Sequence, residues 1–346
     1  MSNVNAEDLY QAIWPSGAPI RNIACRHCGV KNRINVGRAV LKPSSCLCGK
    51  CGETLFLNPQ SSLMNLSPKA YQHSLDKKAL SALESIPGMS TLVRWFLHEI
   101  GERPLRYHYL ASSIQVSTEQ FPELYGLLQA AQRRLDVKST PQLFLTQSPV
   151  VNASTFGAEQ PTIVVNSGIL DHLDDQSAVC VLGHELGHIH SDHSVYKLLA
   201  AMLVQGGAIL GMISKFLTTP IQLGLQKWSR CAELTADRAG LLACGQVDTA
   251  VDVLMRLAGG RSVGVSDRTA LKVAPFVRQA RELAQAENEG WMDGAVANWM
   301  TADRSHPFAA WRLLELIEWV EHGNYIDILA GRYVRTKPKE SIETSA

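Results

Sequence analysis

His184-Glu185-Leu186-Gly187-His188 holds the residue types that metal-assisted hydrolysis needs. Residues four apart share a helical face, so both imidazoles can reach one metal ion. Glu185 follows the first histidine and projects beside the pair, where a carboxylate can act as general base on a water at the metal. The same pentapeptide also occurs in core helices whose histidines are satisfied by neighbours. Its flanks favour chemistry. Val179-Cys180-Val181-Leu182 is an apolar run that buries the helix start, and Leu186 and Ile189 continue an apolar pattern on the face away from the metal.

A catalytic zinc takes three protein ligands and keeps a fourth position open. A histidine six residues past His188, after a glycine, would supply the third, but Ser194 and Ser191 occupy those positions. His190 and His193 lie two and five residues past His188. A continuing helix turns His190 away from the metal, and both read as exposed helix-end histidines. Downstream, in Ser229-Arg230-Cys231-Ala232-Glu233-Leu234-Thr235-Ala236-Asp237-Arg238, Glu233 and Asp237 again share a helical face. Glu233 can ligate zinc, and Asp237 can accept the second N–H of a zinc histidine and so fix its tautomer. A solvated, charged helix face has the same spacing. On its own this motif does not decide.

Together, HELGH and the ExxxD helix resemble the gluzincin metallopeptidases of the HtpX and CAAX prenyl protease group. Ser305-His306-Pro307, with Arg312 six residues on, is similar to that family's C-terminal His-Pro…Arg element. The resemblance spans roughly residues 120 to 320. It implies that His184, His188 and Glu233 bind a catalytic zinc, with Glu185 as general base and Asp237 behind a zinc histidine. It also implies that His306 and Arg312 hold the substrate or the developing oxyanion. Val150-Val151-Asn152-Ala153 and Pro161–Asn166 read as short strands bounded by Gly157, Pro161 and Gly168. They look like the family's Asn-Ala segment and its edge strand beside the cleft. An extended peptide can add to such an edge through its main chain, which makes Asn152, Ala153, Thr162 and Val164 candidate substrate-binding residues. A two-stranded structural hairpin fits the same residues.

Near the N-terminus, Cys25-Arg26-His27-Cys28 and Cys48-Gly49-Lys50-Cys51 are two CxxC knuckles nineteen residues apart. That spacing suits a structural four-cysteine zinc site, with a disulfide pair as the rival. The segment is similar to the zinc ribbon preceding some bacterial thioredoxins. Cys46 lies close enough to replace Cys48 through a register shift. Seven Lys or Arg and no Asp or Glu fall between Arg21 and Gly52. A basic face can attract nucleic acid, but the ribbon has no evident aromatic stacking platform, and the whole chain carries a formal charge of only +1. A structural or protein-docking module is the better reading.

The elements that must position these groups follow from composition. At 346 residues the chain can hold a small ribbon and one sizeable core. We divide it into a lead and ribbon (1–57), a linker (58–65), a peptidase domain (66–336) and a polar tail (337–346). Residues 66–112 look helical with a break at Pro87-Gly88, and further helices are expected over Ser117–Leu135, Thr249–Leu257, Ala274–Glu289 and Pro307–Glu321. The fold class is therefore α+β: a mainly helical, zincin-like domain with a small sheet, preceded by the ribbon. Cys180, Cys231 and Cys244 are left as free thiols, and no basic start followed by an apolar run opens the chain, which points to the cytoplasm. Leu198 to Ser214 is seventeen residues without a charge, the lower limit for a membrane span, interrupted by Gln205, Gly206, Gly207 and Gly211. It reads as a buried helical hairpin, with peripheral membrane contact through 198–217 as the alternative. The expected activity is zinc-dependent endoproteolysis of protein or peptide substrates, with one catalytic and one structural zinc. A catalytically idle scaffold whose ribbon recruits partners is the competing reading.

Overall fold

The amphipathic segments fold largely as expected in a computed structural model that describes residues 6–99, 101–157, 159–205, 219–259, 272–288 and 308–336. A short helix, α1 (Ala6–Ile13), precedes an antiparallel hairpin, β1 (Ile20–Ala24) and β2 (Lys31–Asn35). An unforeseen helix, α2 (Val36–Leu41), follows; the Asn35 side chain caps it by accepting from the Arg38 amide. Residues 66–112 divide into α3 (Ser74–Glu84), α4 (Met89–Glu99) and α5 (Arg103–Ser112). The break at Pro87-Gly88 is present, and Gly88 takes a φ of 91° that residues with a Cβ resist.

Then come β3 (Ile114–Val116), α6 (Pro122–Leu135), β4 (Gln142–Thr146), β5 (Ala153–Phe156), β6 (Thr162–Asn166) and α7 (Gly168–His172). The four strands form one sheet in the order β3-β4-β6-β5, with β4 and β6 parallel and the other pairs antiparallel. This corrects the expected position of the edge. Pro161–Asn166 supplies the central strand β6, paired on both sides, and the edge is β5. Thr162 and Val164 are 0% and 3% exposed, so neither can meet a substrate. The uninterrupted Ile163-Val164-Val165 run is what a strand covered on both faces requires, whereas a half-exposed edge would alternate.

The remaining helices are α8 (Asp175–His190), α9 (Ser194–Gln205), α10 (Thr219–Cys244), α11 (Val247–Gly259), α12 (Val273–Asn288), α13 (Ala309–Glu321) and α14 (Tyr325–Leu329). α8 starts at Asp174, whose carboxylate accepts from the Ser177 amide, and it is buried along almost its whole length. Two apolar cores flank the centre. One gathers α6, α8, α11, α13, α14 and the ribbon; the other joins α3, α4, α9 and one face of the sheet, through Phe144, Phe156 and Val164. The long helix α10 runs from the second core (Ile221 to Ala232) into the first (Ala239 to Cys244), and Glu233 falls at the junction. The fold is α+β and mainly helical.

The ribbon is packed into the larger core, not merely tethered to it. Ile23, Cys25, Val36 and Leu55 share that core with Leu313, Val320 and Ile328. Arg21 Nη1 donates to the Gly323 carbonyl at 2.6 Å, and the Leu57 amide donates to the Leu329 carbonyl at 2.7 Å. Buried Arg134 fastens the 58–65 segment by donating to the Asn58 carbonyl at 3.3 Å and to that of Ser61. No helix of the described residues is long and apolar enough to cross a membrane. Leu198, Leu199 and Ala200 are buried in the second core, while 206–217 and the tail from 337 lie outside the described residues.

Candidate metal centres and active site

Close helix packing brings the central ligands together. Gly183 and Gly187 of α8 face Ala243 and Ala239 of α10, and a Cβ added to Gly187 would stand 2.5 Å from that of Ala239. With no side chain between the backbones, His184 and His188 meet Glu233. The ligand atoms of these three residues lie within 4.8 Å of one another, and all three are buried. His184 Nε2 is 3.3 Å from Glu233 Oε2, and His188 Nε2 is 3.3 Å from Glu233 Oε1.

The donor set calls for a cation. His184 Nδ1 stands 3.0 Å from Asp237 Oδ1, and a carboxylate can only accept, so the imidazole proton sits on Nδ1. A neutral His184 then points the lone pair of Nε2 at a carboxylate oxygen. Only a proton or a metal ion makes that approach favourable. In protonic terms the same demand appears as a raised pKa: burial pulls His184 down, yet Asp237 and Glu233 outweigh it and push it up to about 9. Two imidazole nitrogens and a carboxylate, with a second carboxylate behind one imidazole, fit zinc.

Arg312 completes the group. It is 3% exposed, and its Nε and Nη2 donate to Asp237 Oδ2 and Oδ1 at 2.7 and 2.5 Å, with Nη1 3.6 Å from Glu233 Oε2. This bidentate pair ties Arg312 to Asp237, and Arg312 also lines the cavity beside His184 and Glu185. Its proposed partner His306 lies outside the described residues. Glu185 is 2% exposed, and Thr155 Oγ1 on β5 donates to its Oε2 at 2.7 Å. Asn152 and Ala153 join His184, Glu185, Asp237 and Arg312 in lining a cavity whose other residues are mainly apolar, Ile169, Val181, Leu254 and Leu257 among them.

Four residues of the site escaped the sequence reading. Thr155 lies beyond the expected strand Val150–Ala153, because β5 runs instead over Ala153–Phe156. Lys197 of α9 holds its Nζ 2.5 Å from Glu233 Oε1 and gives that ligand a cationic neighbour. His193, expected to be exposed, is 1% exposed. The chain turns back after α8 through Asp192, at a φ of 56°, and the His193 amide donates to the His188 carbonyl at 3.0 Å. That reversal sets its imidazole beside His188 and Asp76, the fourth missed residue. His190 is also half-buried, 2.9 Å from the Tyr71 hydroxyl, and burial lowers its pKa to about 4.

The ribbon cysteines form a second donor set. Cys25 Sγ and Cys51 Sγ lie 3.6 Å apart, Cys28 Sγ and Cys48 Sγ 3.5 Å, and all four sulfurs fall within 4.8 Å of one another. A tetrahedron of Zn–S bonds of about 2.3 Å has edges of about 3.8 Å, so the cluster is of the right size. Backbone amides of Cys51 and Lys50 lower Cys48 to about 6, which favours the ligating thiolate. Cys46 stands apart, its Sγ turned to the Lys42 carbonyl at 3.8 Å, and the register shift does not occur. No cysteine is in a disulfide, and Cys180, Cys231 and Cys244 are buried free thiols.

A helical domain with a small sheet, and with an HExxH helix crossing a Glu-bearing helix, defines a gluzincin zinc metallopeptidase of the HtpX type. The chain belongs to peptidase family M48, whose sequence profile matches residues 118–320. It is 33% identical over 269 residues to the plastoglobule-localized metallopeptidase 48, chloroplastic, of Arabidopsis thaliana, covering 77% of this chain and 76% of that protein. An HtpX protease homologue of Salinibacter ruber is 28% identical over 38% of this chain and 50% of its own length. One from Methanothermobacter thermautotrophicus is 32% identical over 30% of this chain and 39% of its own. No solved structure matches the chain. The protein is a zinc-dependent endopeptidase acting on protein or peptide substrates. Nothing favours the idle scaffold.

Proposed function

We propose that the chain cuts internal peptide bonds of extended polypeptide, with Glu185 as general base and His184, His188 and Glu233 holding the catalytic zinc. The convergence of those three buried ligands beside Glu185 carries the reading. When bound, zinc supplies Lewis acidity and lowers the pKa of water toward ~7. Thr155 steadies one oxygen of the Glu185 carboxylate. The other takes the proton of the attacking water and returns it to the leaving amine. Asp237 keeps the His184 proton on Nδ1, Arg312 keeps Asp237 in place, and His306 remains the proposed donor to the oxyanion on the strength of the family motif. The outer edge of β5, next to Asn152 and Ala153, receives the substrate backbone. The apolar wall of the cavity accepts an uncharged side chain.

Cys25, Cys28, Cys48 and Cys51 are proposed to hold a second, structural zinc, so that two ions of different chemistry serve one chain. We read the ribbon as a structural and protein-docking module rather than a nucleic-acid binder, and 1–57, 58–65 and 66–336 as the working division of the chain. Free buried thiols support a cytoplasmic setting. The plastoglobule localisation of a relative, together with the uncharged Leu198–Ser214 stretch, supports peripheral membrane contact as the second reading of location.

The test is incubation of wild type and Glu185→Gln with an unfolded protein, with and without chelator, followed by fragment mapping. The variant should keep its zinc and lose at least ~100-fold in rate, as when a positioned base is removed. Undiminished cleavage would remove Glu185 from the mechanism.

A further inference from the structure

His184 has a carboxylate at its Nδ1, on the side away from Glu233, whereas among the described residues no carboxylate stands at Nδ1 of His188. Behind His188 Nδ1, at 3.1 Å, stands Nδ1 of His193. The other nitrogen of His193, Nε2, faces Asp76 Oδ2 at 3.3 Å. All three side chains are sealed from solvent: His188 and Asp76 are 0% exposed and His193 1%. Asp76 lies in the first turn of α3, where the helix dipole favours an anion. It also accepts from Trp228 Nε1 at 3.1 Å and from Thr235 Oγ1 at 2.7 Å, so its position is fixed from two further sides.

Donor and acceptor chemistry gives this line a direction. If His188 Nε2 ligates zinc, its single proton is on Nδ1 and is donated to His193 Nδ1. His193 must then be bare at Nδ1 and protonated at Nε2, the nitrogen that faces the carboxylate. At 3.3 Å that last contact is longer than a usual N–H···O bond of about 2.9 Å and is an electrostatic contact with the carboxylate rather than a well-formed hydrogen bond.

We propose that His193 and Asp76 are positioning residues for the metal centre: Asp76, acting through His193, fixes the tautomer and orientation of His188, as Asp237 does directly for His184. The two zinc histidines are thereby anchored to helices of different apolar cores. His184 is tied through Asp237 and Arg312 to α13, and His188 is tied through His193 and Asp76 to α3. The inference rests on the zinc ligation proposed above.

The test measures zinc affinity at the catalytic site of the full chain by chelator competition, with ribbon zinc followed separately through its thiolates. His193→Phe and Asp76→Asn should weaken catalytic zinc binding by about 10–100-fold, the usual effect of losing such a partner. His193→Gln can accept with its carbonyl and donate with its amide, and should recover most of that loss. A purely structural role would lower the thermal midpoints of all three and leave zinc affinity alone. Since a variant can fail to fold, 15N imidazole shifts of zinc-loaded wild type give a second measurement: His193 should be protonated at Nε2 and bare at Nδ1. Wild-type zinc affinity in folded His193→Phe, or the opposite tautomer in the wild type, would overturn the inference. Failure of the underlying ligation would look different, because wild type itself would then bind no zinc at this site.

Discussion

Among single residues, the first ligands and their supports should separate by measurement. Glu233→Ala should abolish tight binding of the catalytic zinc. Asp237→Asn should weaken it less, by about 10–100-fold. It should also cost stability of about 3 kcal/mol or more, because it leaves the buried Arg312 guanidinium without its counter-charge. A Glu233→Ala protein with normal catalytic zinc would refute the ligand assignment. Asp76 and Asp237 also set an acid limit. Burial alone would raise both, but His193 and Thr235 at the first, and Arg312 and His184 at the second, hold each carboxyl below the ordinary 3.8. The unfolded chain then binds the protons more readily, so their stabilisation is complete above about pH 4 and is lost as pH falls through the native values. Urea midpoints should drop steeply below that pH, and less steeply in Asp76→Asn. His184, Glu185, His188, Glu233 and Asp237 were legible in the sequence because one helical repeat brings each set together. Asp76, His193, Lys197 and Thr155 were not, because chain reversal and strand register bring them in from distant segments.

Between elements, the crossing of α8 and α10 decides whether a site exists. Gly187→Ala should force the helices apart, costing about 1–3 kcal/mol as overpacked cores do, and should lower zinc affinity with it. Because the added methyl meets mainly the Ala239 Cβ, Gly187→Ala combined with Ala239→Gly should recover much of both losses. If the double variant is no better than the single, the contact is not what sets the crossing. Helix positions were readable from periodicity: α6, α11, α12 and α13 match their expected segments within a few residues, while the expected stretch 66–112 divides into three helices, the first starting only at Ser74. Strand order was not readable, since pairing depends on partners far along the chain. The resemblance to an edge segment therefore misplaced the cleft strand, although the Ile163-Val164-Val165 run already signalled burial on both faces.

For the whole molecule, the ribbon is the main surprise. Its two CxxC knuckles announce a metal site, but nothing in them announces a core shared with α13 and α14. On the proposed loading of two zinc ions, Cys25→Ser with Cys28→Ser should leave one per chain. It should also lower the thermal midpoint of the entire protein, since a short ribbon has little core without its metal and the larger core loses that neighbour. Hydrolysis per folded molecule should persist, because none of the proposed catalytic ligands comes from residues 21–57. An unchanged midpoint would show that the packing contributes no stability; loss of hydrolysis in a well-folded variant would put the ribbon in the cleft.

The place of β5 at the end of its sheet has a kinetic consequence. On the proposed docking, a client must lay several unpaired amides along that strand before Glu185 can act on it, and a chain already paired in its own helices and sheets has none to offer. Where opening and closing are fast compared with cutting, the rate on a given client follows the fraction of time its segments spend open. Two proteins with the same residues at the cut would then differ in lifetime by their local stabilities alone: the peptidase would act as a clock that runs faster on looser clients.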